Sequence, residues 1–275
     1  MKSKHDIIWL ESVDSTNHEA ARQISNLDNL SVVSAVRQTE GRGQRGNKWL
    51  SNDGENLLFS IVLKLTPPML AYDQFVLNEL TSLAVVDFLA SYGISADIKW
   101  PNDIYVDDRK ICGILIENSL RDSHISSSIV GIGLNVNQRN FDDSIKNPTS
   151  IVLCNDTNGD RNYDLKQCLT EFMDIFKSYA NRYLHMNGGY RSLRRLYLAR
   201  LWRKDQLSGF LDFTTLPSGH LDGPMEIYST DLKHPAGREF KGIIRGLSDI
   251  GNLLVEDQTS GTVREFGFKE IGYLL

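Results

Sequence analysis

Apolar residues fall three and four apart along residues 71–93, AYDQFVLNELTSLAVVDFLASYG, which predicts a long core-facing helix with Gly93 as its C′ stop. The same spacing through Leu165, Leu169, Phe172, Phe176 and Tyr183 predicts a second long helix, and Leu193, Leu196, Tyr197 and Leu201 a third. Both are expected to cover a sheet. A shorter helix is expected from about Asn17, because Thr16 and Glu19 stand at capping-box spacing. Elsewhere the pattern shortens to that of strands: LSVVSAVRQ (30–38), NLLFSIVLKL (56–65), then ISADIKW, IYV, KICGILIE and SSIVGIGLNVN between residues 94 and 137. Pro67 and Pro68 are read as a break, Asp107 and Asp108 as a hairpin turn, and residues 140–159 as polar and irregular. From about Gln206 onward, short strands with glycine turns have the habit of a small β-barrel. The pattern predicts an α+β fold: a mixed sheet flanked by helices over residues 1–205, then an all-β domain over 206–275.

Composition narrows the function classes. The formal charge of −5 gives no general reason to expect nucleic acid as a partner. The N-terminal MKSKHDIIWLES lacks a signal-peptide core, and the longest apolar run, LLFSIVL, is too short to span a bilayer. A cytoplasmic protein without membrane partners is therefore expected. Cys112, Cys154 and Cys168 are odd in number and lack CxxC spacing, so neither a disulfide framework nor a zinc site is indicated.

Gly41, Gly43 and Gly46 in TEGRGQRGNKW spell GxGxxG, the glycine spacing of dinucleotide-binding turns. That fingerprint acts only between a strand and a helix whose N-terminus meets the pyrophosphate. Here the segment after Gly46 is turn chemistry and then another strand, so the glycines sit in a strand-to-strand loop that carries Arg42, Arg45 and Lys48. It is either a solvated basic loop or one that grips an anion. In KWPNDIYVDDRKICGILIE (99–117), Lys99 ends a strand, Pro101 holds Trp100 extended, and Lys110 enters the strand that carries Gly113. Alone, the lysines read as edge charges and Asp103 as a turn former. Gly131 and Gly133 lie inside a strand, where glycine marks a bulge or the close approach of a ligand.

Together, DSTN (14–17), QTEGRGQRGNKW (38–49), KWPNDIYV with RKICGILIE (99–117) and GIGLNVN (131–137) resemble the biotin protein ligases in order and spacing. The resemblance covers about the first two hundred residues. The C-terminal part also looks like that family's SH3-like module. It implies the biotin/lipoate ligase catalytic fold, which is similar to class II aminoacyl-tRNA synthetases. It also implies an ATP-dependent enzyme that makes biotinyl-5′-AMP and passes biotin to a lysine of the biotin carboxyl carrier domain of a carboxylase, as a monomer or weak homodimer. ATP and biotin are the implied ligands, with Mg²⁺ held largely by phosphates because no compact carboxylate cluster is visible.

Joining a carboxylate to a polyanion demands fixed cations, for which Arg42, Arg45, Lys99 and Lys110 are the candidates. The resemblance implies that Lys99 bridges the biotin carboxylate and the α-phosphate, that Lys110 contacts the biotin end of the adenylate, and that Asp103 orients or deprotonates the incoming lysine. On the biotin side it implies Ser15, Thr16, Asn17 and Gln38, the Arg42, Gly43 and Gln44 loop, Lys110 and Gly113. On the adenylate side it implies Gly41, Arg45, Trp49, Lys99, Asn102, Gly131, Gly133 and Asn135. Trp49 reads equally as an adenine platform or a core anchor.

Two departures from the family pattern stand out. Only about a dozen residues precede DSTN, so the helix-turn-helix domain of repressor members is not expected, nor is binding to operator DNA. Gln44 stands where many members carry an arginine, and either loosens the grip on the adenylate or is compensated by Arg45 and Lys48. The competing readings are a lipoate protein ligase, a non-catalytic biotin or nucleotide sensor and, remotely, a dehydrogenase.

Overall fold

The computed structural model describes residues 6–44, 47–155, 159, 161–184, 190–214 and 237–274. Seven strands form one mixed sheet: β1 (Ile7–Val13), β2 (Val32–Gln38), β3 (Leu57–Leu70), β4 (Asp97–Lys99), β5 (Asp103–Val106), β6 (Arg109–Arg121) and β7 (His124–Leu134), in the order β1-β2-β3-β7-β6-β5-β4. β1 and β2 run parallel and the remaining neighbours antiparallel. The connection between the parallel strands is α1 (Thr16–Arg22). Adjacent β2 residues show how the sheet is covered. Val32 packs with Phe59, Ile61 and Leu63 against α2 (Phe75–Ser91) and α4 (Leu165–Tyr183), while Val33 packs with Val62, Ile129 and Ala20 of α1. Successive side chains of a strand point to opposite faces, so α2 and α4 lie on one face and α1 on the other. The short α3 (Ile151–Asn155) and α5 (Tyr190–Ala199) complete the helices.

The helices expected from periodicity are present, and Gly93, with φ of 76°, is the residue that leaves α2. Four local expectations change. The helix α1 starts at Thr16 behind an extended Ser15, and no side chain caps it, because the Thr16 hydroxyl bonds Gln38 instead. The prolines do not end a strand: β3 continues through Pro67 and Pro68 to Leu70, with its register to β7 shifting between Lys64 and Met69 so that the exposed prolines fall outside the ladder. The irregular stretch 140–159 contains α3, and Leu201 lies beyond α5, bridged to Ile98. The N-terminal strand β1 had no alternation to betray it. Ile7 to Leu10 are all partly buried, because Ile7 and Trp9 pack on the α2 face of the sheet while Ile8 and Leu10 pack on the α1 face.

The C-terminal residues build a five-stranded antiparallel sheet from β8 (Leu207–Asp212), β9 (Arg238–Leu247), β10 (Leu253–Asp257), β11 (Val263–Phe266) and β12 (Ile271–Leu274), in the order β11-β10-β9-β8-β12. It is docked on the larger unit. The Trp100 indole donates to Gly251 O at 2.9 Å and stacks on Phe268 at 5.2 Å, and Gly251, at φ 91°, sits so close to the Phe75 ring that no Cβ fits.

Candidate active site

On the α1 face of the sheet, glycines leave a trough. Gly113 of β6 is paired with Gly133 of β7, and Leu115 with Gly131, so three backbone positions in one small area carry no side chain. Something else uses the space. A Cβ on Gly133 would enter the Trp49 indole, one on Gly113 would come within 2.8 Å of it, and one on Gly131 would strike the Asn17 amide. Trp49 lies across the glycine pair with its Nε1 shielded and lacking a hydrogen-bond partner among the described residues, which leaves a donor on the wall unmet.

The glycine loop joins antiparallel β2 and β3, as the sequence implies, and no helix follows it. It is a tight hairpin: Trp49 N donates to Gly41 O at 3.0 Å, Gly43 N to Asn47 O at 2.7 Å, and Arg42 bridges to Lys48. Gly41 is needed where the arms cross, since a Cβ there would strike Trp49 O. Arg45 and Gly46 lie outside the described residues.

A cavity of about 210 Å³ opens over this trough. At one end, Ser15, Thr16, Asn17 and Gln38 form a hydroxyl and amide wall, in which Thr16 N and Oγ1 both donate to Gln38 Oε1, at 2.7 and 3.2 Å. Buried Ser60 ties it together, its Oγ lying 2.6 Å from Asn17 Oδ1 and 2.8 Å from Thr16 Oγ1. Asn17 Nδ2 donates to Glu117 at 2.7 Å, and Arg42 pairs with the other Glu117 oxygen at 3.1 Å while donating to His18 Nε2 at 2.8 Å. At the other end stand Lys99, Asn102, Asp103 and Lys110. Lys110 Nζ is 2.6 Å from Asp103 Oδ1, and Lys99 Nζ donates to Tyr105 Oη at 3.0 Å. Asn102 donates to Ile114 O at 2.7 Å, which pins the turn that positions both charges.

The structure thus brings Ser15, Thr16, Asn17, Gln38, Arg42, Gly43, Gln44 and Trp49 onto one cavity with Lys99, Asn102, Asp103, Lys110, Gly113, Gly131 and Gly133. Two expected contributors stand behind it. Gly41 closes the hairpin base, and Asn135 donates to Thr149 O at 2.9 Å, holding the segment that leads into α3. Other participants went unnoticed in the sequence. Ser60 was visible as the lone polar residue inside LLFSIVL, and Glu117 closes the quoted KICGILIE run. Phe213, Phe268, Ile271, Gly272 and Tyr273, which give the cavity a wall from the C-terminal sheet, carry no sequence signal beyond ordinary strand composition. Asp103 is the single carboxylate among the described lining residues, and no group of three His, Cys, Asp or Glu among the described residues could hold a metal ion.

The arrangement offers a hydroxyl and amide wall backed by the Arg42–Glu117 ion pair at one end, and two lysines with one aspartate at the other. Such a cavity suits a ligand with a polar head and an anionic tail, with a second anion meeting it at the lysines.

The chain is similar to several known proteins. A model of the biotin/lipoate A/B protein ligase family matches residues 9–135. The bifunctional ligase/repressor BirA of Bacillus spizizenii is 34% identical over 174 residues, which cover 62% of this chain and 52% of that protein. BirA of Escherichia coli K12 is 29% identical over 250 residues, 90% of this chain and 68% of that one. The biotin-acetyl-CoA-carboxylase ligase of Paracoccus denitrificans is 37% identical over 130 residues, 46% and 53% of the two chains. The chain therefore spans about half the length of the Bacillus and Paracoccus relatives. Biotin protein ligase from Aquifex aeolicus, solved in complex with biotin and ATP, superposes with a TM-score of 0.71 over 98% of both chains at 24% identity, a likeness of fold.

Proposed function

We propose that this chain, which the model of the biotin/lipoate A/B protein ligase family matches over residues 9–135, is an ATP-dependent biotin protein ligase. The observation that carries this reading is the cavity's polarity, with hydroxyls and amides at one end and Lys99 and Lys110 at the other. Biotin's ureido ring offers donors and acceptors to Thr16, Asn17 and Gln38. The dithiolane of lipoate offers none and would leave buried polar groups facing hydrocarbon, which is the kind of mismatch a site rejects strongly.

In the first step a biotin carboxylate oxygen bonds to the α-phosphorus of ATP and pyrophosphate leaves. Lys99 and Lys110 offset the negative charge that gathers there, with Arg42 of the glycine loop as a further cation on the cavity. In the second step a lysine amine of a carboxylase's carrier domain attacks the acyl carbon, and AMP leaves. Asp103 serves this step by exchanging its Lys110 partner for the incoming ammonium and taking its proton. Any Mg²⁺ would come with the nucleotide and supply charge for its phosphates, since Asp103 is the single carboxylate among the described lining residues.

The Trp49 indole, half-buried on the cavity wall and outside the hydrophobic core, serves in this scheme as the adenine platform rather than as a core anchor. The reading includes a carrier domain rather than DNA as the macromolecular partner, action as a monomer or weak homodimer, and a place in the cytoplasm. Among the described residues no helix is long and apolar enough to cross a membrane. Incubation with biotin, ATP and a carrier domain should add one biotin to one carrier lysine with release of AMP, which intact-mass analysis reads directly. Binding of biotin without AMP release would favour a sensor.

A further inference from the structure

Only 4% of Lys99 is exposed, yet its ammonium lies among rings. Nζ is 4.8 Å from the ring centre of Tyr105 on β5, 5.9 Å from Trp202 on the link after α5, and 5.2 Å from Tyr273 on β12. All three rings are buried and support one another. Tyr105 and Trp202 are 5.3 Å apart, Trp202 and Tyr273 5.7 Å, and the Trp202 indole is fixed by its bond to Asp107 O at 3.1 Å. The backbone is also fixed, because Ile98 N donates to Arg200 O and Trp202 N donates to Ile98 O.

We propose that Tyr105, Trp202 and Tyr273 are positioning residues for Lys99, forming an aromatic cage of which the C-terminal sheet supplies one wall. The argument is physical. An ammonium withdrawn from water loses hydration, and the ring faces, with the Tyr105 hydroxyl that accepts from Nζ at 3.0 Å, return part of it. Packed rings also remove the rotamer freedom of a four-carbon stem, so the charge stands ready where phosphate charge develops. The cage joins residues from three separate parts of the chain, and adenylate formation therefore depends on the docked position of β12. This inference rests on the cavity being the adenylation site.

The test uses the full chain and separates the two half-reactions, with melting temperature as the check on folding. Biotinyl-AMP formation is followed in a single turnover, and transfer is started from added biotinyl-AMP and a carrier domain. In Tyr273→Leu, which keeps apolar volume but loses the ring, adenylate formation should slow by roughly tenfold or more while transfer stays within about twofold. Tyr273→Phe, which restores a ring, should recover the first step. Trp202→Leu carries the same comparison if Tyr273→Leu does not fold. Adenylate formation at the wild-type rate in the leucine variant, or equal loss of both steps, overturns the cage. A wild type that makes no biotinyl-AMP overturns the reading of the site and this inference with it.

Discussion

Lys99 and Asp103 face each other across one three-residue turn, and the account gives them different steps. Lys99 acts on phosphate charge, so Lys99→Ala should reduce biotinyl-AMP formation by about a hundredfold, the usual scale of a lost transition-state donor near 3 kcal/mol. Asp103→Ala should reduce transfer to the carrier lysine more than adenylate formation. Single-turnover rates for the two steps check the pair, and equal damage to both steps by Asp103→Ala would move that residue to the phosphate side. These residues were legible because their chemistry is local: lysine, tryptophan, proline, asparagine and aspartate in a row make a turn that presents charge. The rings around Lys99 were not legible. Tyr105, Trp202 and Tyr273 are ordinary aromatic residues in the sequence, and only the tertiary fold brings β12 to the edge of the other sheet.

At the scale of elements, the paired strands β6 and β7 form the floor of the site because glycine occupies one face of each. The Trp49 indole lies where the missing Cβ atoms would be, so Gly133→Val should displace it and reshape the cavity while the opposite, core-facing side of the strand is untouched. The expected result is an altered Trp49 environment in fluorescence and adenylate formation down by about tenfold or more, with cooperative unfolding retained. Unchanged activity would mean that the floor does not define the ligand's path. Strand glycines were recognisable as sites of close approach, but what approaches them was not, because Trp49 is more than sixty residues away in sequence. The continuation of β3 past Pro67 and Pro68 also escaped the sequence, since a local breaker gives no sign that the ladder on β7 resumes beyond it.

Across the whole molecule, two sheets share one cavity, and a hydrogen-bonded contact between a buried acid and an arginine helps to hold them in place. Glu79 on α2 pairs with Arg194 on α5, and Arg194 also donates to Ser248 O at 2.6 Å and Asp249 O at 3.3 Å in the turn after β9. Burial pushes the Glu79 carboxyl up to about 7 against the opposing pull of Arg194. A raised acid binds its proton more tightly when folded, so its contribution is complete below the ordinary value of 4.5, declines as pH rises and is lost above about 7. Urea unfolding at pH 5 and pH 8 should therefore show wild type losing stability relative to Glu79→Gln as pH rises, by at most about 3 kcal/mol; the opposite slope would contradict the assignment. The α+β class and the strand-rich C-terminal sheet were readable from periodicity, whereas their joint construction of a site was not, because docking depends on shape at Trp100, Phe75 and Gly251. The central claim is that this shared cavity activates biotin. Isotope exchange between pyrophosphate and ATP tests it most directly: the account predicts exchange that requires biotin and is indifferent to lipoate, and exchange that requires lipoate and ignores biotin would contradict it.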